Sequence, residues 1–259
     1  MRIFANRNII NIKRMNYKDY EEMPSWNGSM ERMQQLERSA AMPKLLTKVY
    51  TWMTLALVIT GLTALIVSRN PSLLALLYGN TWVMIGLVVA ELAIVIGVSA
   101  AISRLSLATA TLLFILYSVI TGAMFSSIFI IYTGASVAKV FFITAGTFGV
   151  MAFIGTTTKK DLSSIGRIAF MALIGLIIAT LVNLFVKSSM FDLILSYIGV
   201  VIFVALTAYD TQKIKEMLAL QTDLGEGAQK VALLGALTLY LDFINLFIHL
   251  LRILGDQRS

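Results

Sequence analysis

Read for hydrophobic and polar positions, the chain is a polar opening followed by seven long apolar runs with short polar links between them. The runs cover approximately 48–68, 82–102, 107–132, 139–156, 168–186, 193–210 and 231–254. A helix needs about 20 mostly apolar residues to cross roughly 30 Å of hydrocarbon. None of the runs alternates as a barrel strand does, and several are too long for one. Lipid offers the backbone no hydrogen-bond partner, so only helices or closed barrels span it. The pattern therefore predicts an all-α integral membrane protein, a bundle of seven transmembrane helices. The fourth run is the shortest and holds Gly146, Gly149 and Gly155. Small residues four apart recur (Gly97 with Ala101, Ala145 with Gly149, Gly175 with Ala179), a spacing that suits close helix packing in lipid.

Residues 1–45 read as a polar N-terminal tail and 46–255 as the transmembrane domain, with a short amphipathic helix expected over 29–41. The basic start is not followed by an apolar core, so it does not read as a signal peptide. The segment before Met15 differs in character from the rest, which makes Met15 an alternative translation start to Met1.

Composition sharpens this picture. Of 259 residues, 58% are hydrophobic and 14% charged, against about 45–50% and about 25% in an ordinary soluble domain. A disordered chain, a nucleic-acid-binding domain and an ordinary soluble enzyme are excluded. The net charge of +7 is spread between the apolar runs and forms no nucleic-acid patch. It reports topology instead, because Lys and Arg collect in cytoplasmic loops. With the N-terminus inside, 16 Lys and Arg fall on the cytoplasmic side. The other side holds 5: Arg69, Lys139, Lys187, Arg252 and Arg258. Seven crossings then leave the C-terminus outside. No cysteine is present, which removes disulfides, thiolate metal sites and a Cys nucleophile. The single histidine argues against a His-rich metal site.

Of 14 acidic residues, only Glu91, Asp210 and Asp242 lie well inside apolar runs. A carboxyl group in a bilayer costs at least a few kcal/mol, so it marks a functional site by default. At 1.5 Å per residue, Asp210 lies roughly 10 Å, and Asp242 and Glu91 roughly 16 Å, from the inner ends of their helices. All three fit one layer. Helical phase groups Thr238, Asp242, Asn245 and His249 on one face of the seventh helix, and Phe203, Thr207 and Asp210 on one face of the sixth. A polar stripe belongs against protein or water, which predicts the last helix to be central. His249 alone reads as a hydrogen-bonded packing residue before it reads as an ion ligand.

Two carboxyl groups a few ångströms apart cannot both ionise cheaply, so they share a proton. Such a pair is a proton-sensitive latch: closed by a hydrogen bond when protonated, opened by repulsion when not. Ionised, it offers oxygen ligands to a hard cation such as Ca²⁺, and acidic groups select cations in a pore. An intramembrane aspartyl protease fits less well. Tyr209–Asp210 matches half of that pattern, but Leu239, Tyr240 and Leu241 stand where glycines should precede Asp242. A retinal-type receptor is excluded because the seventh run has no lysine. No catalytic constellation remains, and the chain does not read as an enzyme.

Asp210 sits in FVALTAYDTQKIKEM and Asp242 in LTLYLDFINLFIHLLRILG. Both stretches resemble the Bax inhibitor-1 (transmembrane Bax inhibitor motif) family, its bacterial members in particular, and the hydrophobic layout agrees from about Lys44 to Gly255. The resemblance implies a seven-helix bundle with the last helix central. It also implies a pH-sensitive Ca²⁺ leak, controlled by an aspartate pair whose positions Asp210 and Asp242 match, in a bacterial inner (plasma) membrane. Some members pair an aspartate with an arginine at the inner end of the second helix, for which Arg104 is the candidate. Glu91 matches an acidic position in the second helix of bacterial relatives, and its expected partner is Arg252, whose stem can reach inward. No cofactor is expected beyond Ca²⁺ as the permeant or bound ion, with Asp210 and Asp242 as its expected ligands. The expected partners are the bilayer, Ca²⁺ and protons. Two other functions stay open: an interaction protein that modulates a membrane protease or the cell-death machinery, with the charged tail as its handle, and a cation–proton exchanger.

Overall fold

The computed structural model describes residues 24–258, with side chains from Ala40 onward. Seven long helices follow in chain order: α1 (Pro24–Ser68), α2 (Thr81–Ala101), α3 (Leu107–Met124), α4 (Gly134–Thr157), α5 (Ser163–Val186), α6 (Ser189–Ala219) and α7 (Glu226–Leu254). Each contains a stretch long and apolar enough to span a membrane. The expected helix over 29–41 is the start of α1, continuous with the first span; the side chains before Ala40 lie outside the described residues. The fourth run forms a full helix of 24 residues despite its glycines.

Two features differ from the apolar pattern. A short helix, Pro71–Tyr78, follows α1. The Asn70 side chain caps it by accepting from the Ser72 and Leu73 amides, and Pro71 stands in its first turn, an arrangement that satisfies amide groups left open at a helix start. Second, α6 runs on to Ala219 and α7 begins at Glu226, beyond the apolar runs at 210 and 231. Lys213, Lys215 and Glu216 are good helix formers, so the helix persists where hydrophobicity stops. Lys215 Nζ donates to the Thr156 carbonyl at 2.6 Å. Gln212 accepts from the Leu162 amide and donates to the Lys160 carbonyl, each at 2.9 Å. The α4–α5 loop is thereby fastened to α6 one turn beyond Asp210.

α6 and α7 form the most extensive helix pair. α7 also packs against α1, α3 and α4, and α6 against α1, α4 and α5. α2 packs chiefly on α3. In its most apolar stretch α7 is 67% buried and α2 only 6%, so α2 turns most of its surface to lipid. Phe114 and Tyr117 of α3 set their rings edge-on to Tyr240 of α7. Tyr240 is wholly buried, and its hydroxyl lies 2.7 Å from Thr60 Oγ1 on α1. Thr60 gives its one proton to the Ser118 carbonyl on α3, so Tyr240 donates. Three helices are tied by this chain. Tyr240→Phe should cost about 1 kcal/mol, read as a lower midpoint for loss of monodispersity on heating in detergent. Thr60→Val should cost more, because it removes both bonds.

Close helix approach occurs at glycines other than those in the four-apart pairs. A Cβ on Gly97, Gly149 or Gly175 would meet nothing within 4 Å. Those positions face away from their neighbours, and the expectation that they pack helices is corrected. Gly122 lies instead against the Thr60 backbone on α1, and Gly155 against the Ala208 backbone on α6. The C-terminal segment folds back on the α3–α4 link. Thr133 N donates to Asp256 O at 3.1 Å, Asp256 N to Ser136 Oγ at 2.8 Å, and Arg258 N to Ile131 O at 2.9 Å.

Candidate functional site: an acid pair at the base of a lateral cleft

Asp210 on α6 and Asp242 on α7 line one cleft, with their carboxyl groups close enough to interact. Asp242 is only 5% exposed, and its Oδ2 has no hydrogen-bond partner among the described residues. Asp210 is half-buried. A carboxylate only accepts hydrogen bonds, so two of them bond to each other only with a proton between them. A direct bond between these two carboxyl groups therefore requires one shared proton.

The pair lies in a cleft of about 980 Å³ between α2 and α5, which α6 and α7 close from behind. Glu91, Arg167, Tyr209, Lys213, Thr238 and Asn245 also line it. The Thr121 hydroxyl sits between the Glu91 carboxyl (2.6 Å) and the Tyr117 carbonyl (3.0 Å). Lys213 Nζ lies 5.6 Å from the Tyr209 ring centroid, and Arg167 donates to Ser164 Oγ at 3.1 Å. Acidic groups therefore line the cleft, and the two basic side chains in it are Arg167 and Lys213.

A smaller hollow of about 260 Å³ adjoins it, sharing Leu173, Ile177, Phe203 and Asn245, and adding Thr180, His249 and Arg252. The imidazole of His249 stacks on Phe203 at 5.8 Å. It occupies the space left by the missing side chain of Gly199, where a Cβ would strike the ring. Its Nδ1 is buried and unpartnered among the described residues. The α7 face expected from helical phase, Thr238, Asp242, Asn245 and His249, runs along both hollows, and Arg252 continues it in the smaller one.

Other expected residues fall elsewhere. Thr207 is fully buried and donates to the Phe203 carbonyl at 2.7 Å, outside the lining of either hollow. Arg104 is exposed in the turn after α2 and lines neither hollow, because α2 ends at Ala101. The expected Glu91–Arg252 pair is corrected: Arg252 Nη1 lies 3.0 Å from Oδ1 of Asp192 in the first turn of α6. The acid at the start of α6 stands beside the end of α7, whereas Glu91 lies mid-helix beside Thr121. Asp192, Arg167, Lys213 and Gln212 were not singled out in the sequence. Gln212 was readable, as a polar residue two positions after Asp210.

Among the described residues no group of three or more His, Asp or Glu side chains converges on one point. Ca²⁺ takes six to eight oxygen ligands. Asp210, Asp242, Thr238 and Asn245 supply oxygens of the right hardness but too few to hold the ion in residence.

A family model described as Inhibitor of apoptosis-promoting Bax1 matches residues 42–259. An Escherichia coli (strain K12) protein named Inner membrane protein YbhL is 49% identical over 220 residues, 85% of this chain and 94% of that one. A Borreliella burgdorferi protein is 43% identical over 216 residues, 83% of this chain and 93% of its own. A Deinococcus radiodurans protein is 43% identical over 214 residues, 83% and 90% of the two chains.

Proposed function

The chain belongs to the Bax inhibitor-1 family of membrane proteins, and on that premise we propose that it is a passive cation leak, with Ca²⁺ as its main ion, gated by the proton that Asp210 and Asp242 share. One observation carries the reading: two carboxyl groups from neighbouring helices lie together in a largely apolar cleft inside an apolar bundle. With the proton in place, the hydrogen bond holds α6 to α7. When it leaves, two negative charges face each other in a medium of low dielectric, and repulsion parts the helices. The same loss turns a neutral pair into oxygen ligands for a cation. Flux therefore rises with pH. The stripe through Asn245 to His249 extends polar lining from the pair towards the Asp192–Arg252 end of the bundle.

The E. coli relative is named an inner membrane protein, and we place this chain in the same kind of membrane. The distribution of 16 Lys and Arg against 5 supports a cytoplasmic N-terminus. The test is Ca²⁺ entry into liposomes holding the purified full chain, with an indicator dye inside and the pH varied equally on both sides. Downhill entry that increases with pH is expected. Entry that is absent, or flat across pH, sinks the proposal. Accumulation against a Ca²⁺ gradient when only a pH gradient is applied would make the protein an exchanger instead.

A further inference from the structure

On the other side of α7 from the acid pair, an apolar groove follows α1. Its first part, about 560 Å³, runs past Thr60, Gly61, Ala64, Phe141 and Phe247 and ends at Arg69 and Arg258. A second part of about 890 Å³ continues along α1 to Tyr50 and Leu46, sharing Leu57, Gly61, Leu65, Phe141 and Phe243 with the first. Gly61 widens it at the junction, since a Cβ there would meet nothing within 4 Å.

The ends of the first part set its scale. From Leu57 to Arg69 along α1 is about 18 Å at 1.5 Å per residue, close to half of a roughly 30 Å hydrocarbon core. Arg69 follows directly on Ser68, the last residue of α1, and Arg258 lies four residues beyond the end of α7. α1 and α7 both end on the same face of a seven-helix bundle, so both guanidinium groups stand where lipid phosphates lie. Arg258 is held there by the hydrogen bond its backbone N–H donates to the Ile131 carbonyl and by the pairing of Gln257 with Tyr132. Neither arginine has a salt bridge among the described residues. Asp256, two residues before Arg258, is exposed and pairs with neither among the described residues.

We infer that this groove is a binding site for one anionic phospholipid, its phosphate between Arg69 and Arg258 and an acyl chain along α1. Two cations at the mouth of an apolar slot whose first part is about one leaflet deep complement that molecule in both charge and polarity. A transmembrane helix of a partner would leave the two charges without a counter-ion unless it carried acids at that level. The site stands apart from the acid pair.

The test is native mass spectrometry of the full chain released from detergent, with dioleoyl-phosphatidylglycerol or dioleoyl-phosphatidylcholine added. Wild type should retain phosphatidylglycerol about fivefold or more over phosphatidylcholine, the scale of one basic residue at a membrane surface. Arg69→Gln with Arg258→Gln should erase that preference. Gly61→Phe should lower retention of both lipids with the arginines intact. Glycerol phosphate alone should not bind, which separates a lipid site from a free-phosphate site. Both arginines are exposed, and Arg258 is held through its backbone amide, so their double variant keeps the fold even where Gly61→Phe does not. Equal retention of the two lipids by wild type overturns the inference. So does a preference that survives loss of both arginines, or a second copy or another protein found in the groove.

Discussion

Asp242→Asn is expected to remove the pH response of Ca²⁺ flux and hold it at the low-pH level. The carboxyl contact between Asp210 and Asp242 exists only with a proton in it. Two unit charges about 4 Å apart at an effective dielectric constant of about 20 repel by about 4 kcal/mol. Since about 1.36 kcal/mol is tenfold, repulsion of that size can move a closed–open equilibrium by up to about a thousandfold. Relaxation and water entry reduce this, so a drop of about tenfold or more in flux at high pH is the conservative expectation. Asparagine has the size of aspartate and a permanent donor. Its amide keeps the bond to Asp210 whatever the pH, and only one charge can form.

Asp210→Asn should act in the same direction but more weakly. Asp210 is half-buried beside Lys213 in the cleft, whereas Asp242 is 5% exposed, so water and the ammonium group soften changes at Asp210. The double variant should be no more severe than Asp242→Asn, because the two groups act as one unit. The measurement is dye-reported Ca²⁺ entry into liposomes over a pH series, with each variant first shown to be monodisperse. If both single variants keep the wild-type profile, the pair is not the sensor.

The seven spans were legible because each apolar run exceeds what any other element needs, and lipid leaves the backbone no second choice. Asp242 and Asp210 were legible for the same reason: a carboxyl group stands out in a run such as 231–254. Helical phase then placed Thr238, Asn245 and His249 on the Asp242 face. What stayed hidden depends on distances between helices that are far apart in sequence. Arg252 lies 60 residues from Asp192, and only the antiparallel packing of α6 on α7 shows that they meet. The second-helix arginine failed as a guide for a local reason, since α2 stops at Ala101 and Arg104 turns out to solvent. The helix ends beyond 210 and before 231 were hidden because hydrophobicity reports the membrane, while helix propensity carries the backbone further. Small-residue spacing misled because a four-residue repeat says that a helix has a flat face, not which way that face looks.

Gly155→Leu is the other substitution with a large expected effect, and it acts on fold and gate together. A Cβ at Gly155 would meet the carbonyl and Cα of Ala208 on α6. Those are backbone atoms, which cannot swing away as a side-chain tip can, so α4 and α6 must separate. Overpacking of this kind costs about 1–3 kcal/mol, and leucine carries three carbons beyond the Cβ that already collides. Ala208 is two residues before Asp210, so any movement of α6 carries the sensor carboxyl with it. The expected result is a lower midpoint for loss of monodispersity on heating, together with Ca²⁺ flux that stays high at low pH because the two carboxyl groups no longer reach each other. Gly175→Leu is the matched control: its Cβ meets nothing within 4 Å, so the added side chain goes into lipid. It should leave gating unchanged and stability equal or better, since leucine exceeds glycine in helix propensity by up to about 1 kcal/mol. If Gly155→Leu matched Gly175→Leu in both measurements, the α4–α6 contact would not set the position of Asp210.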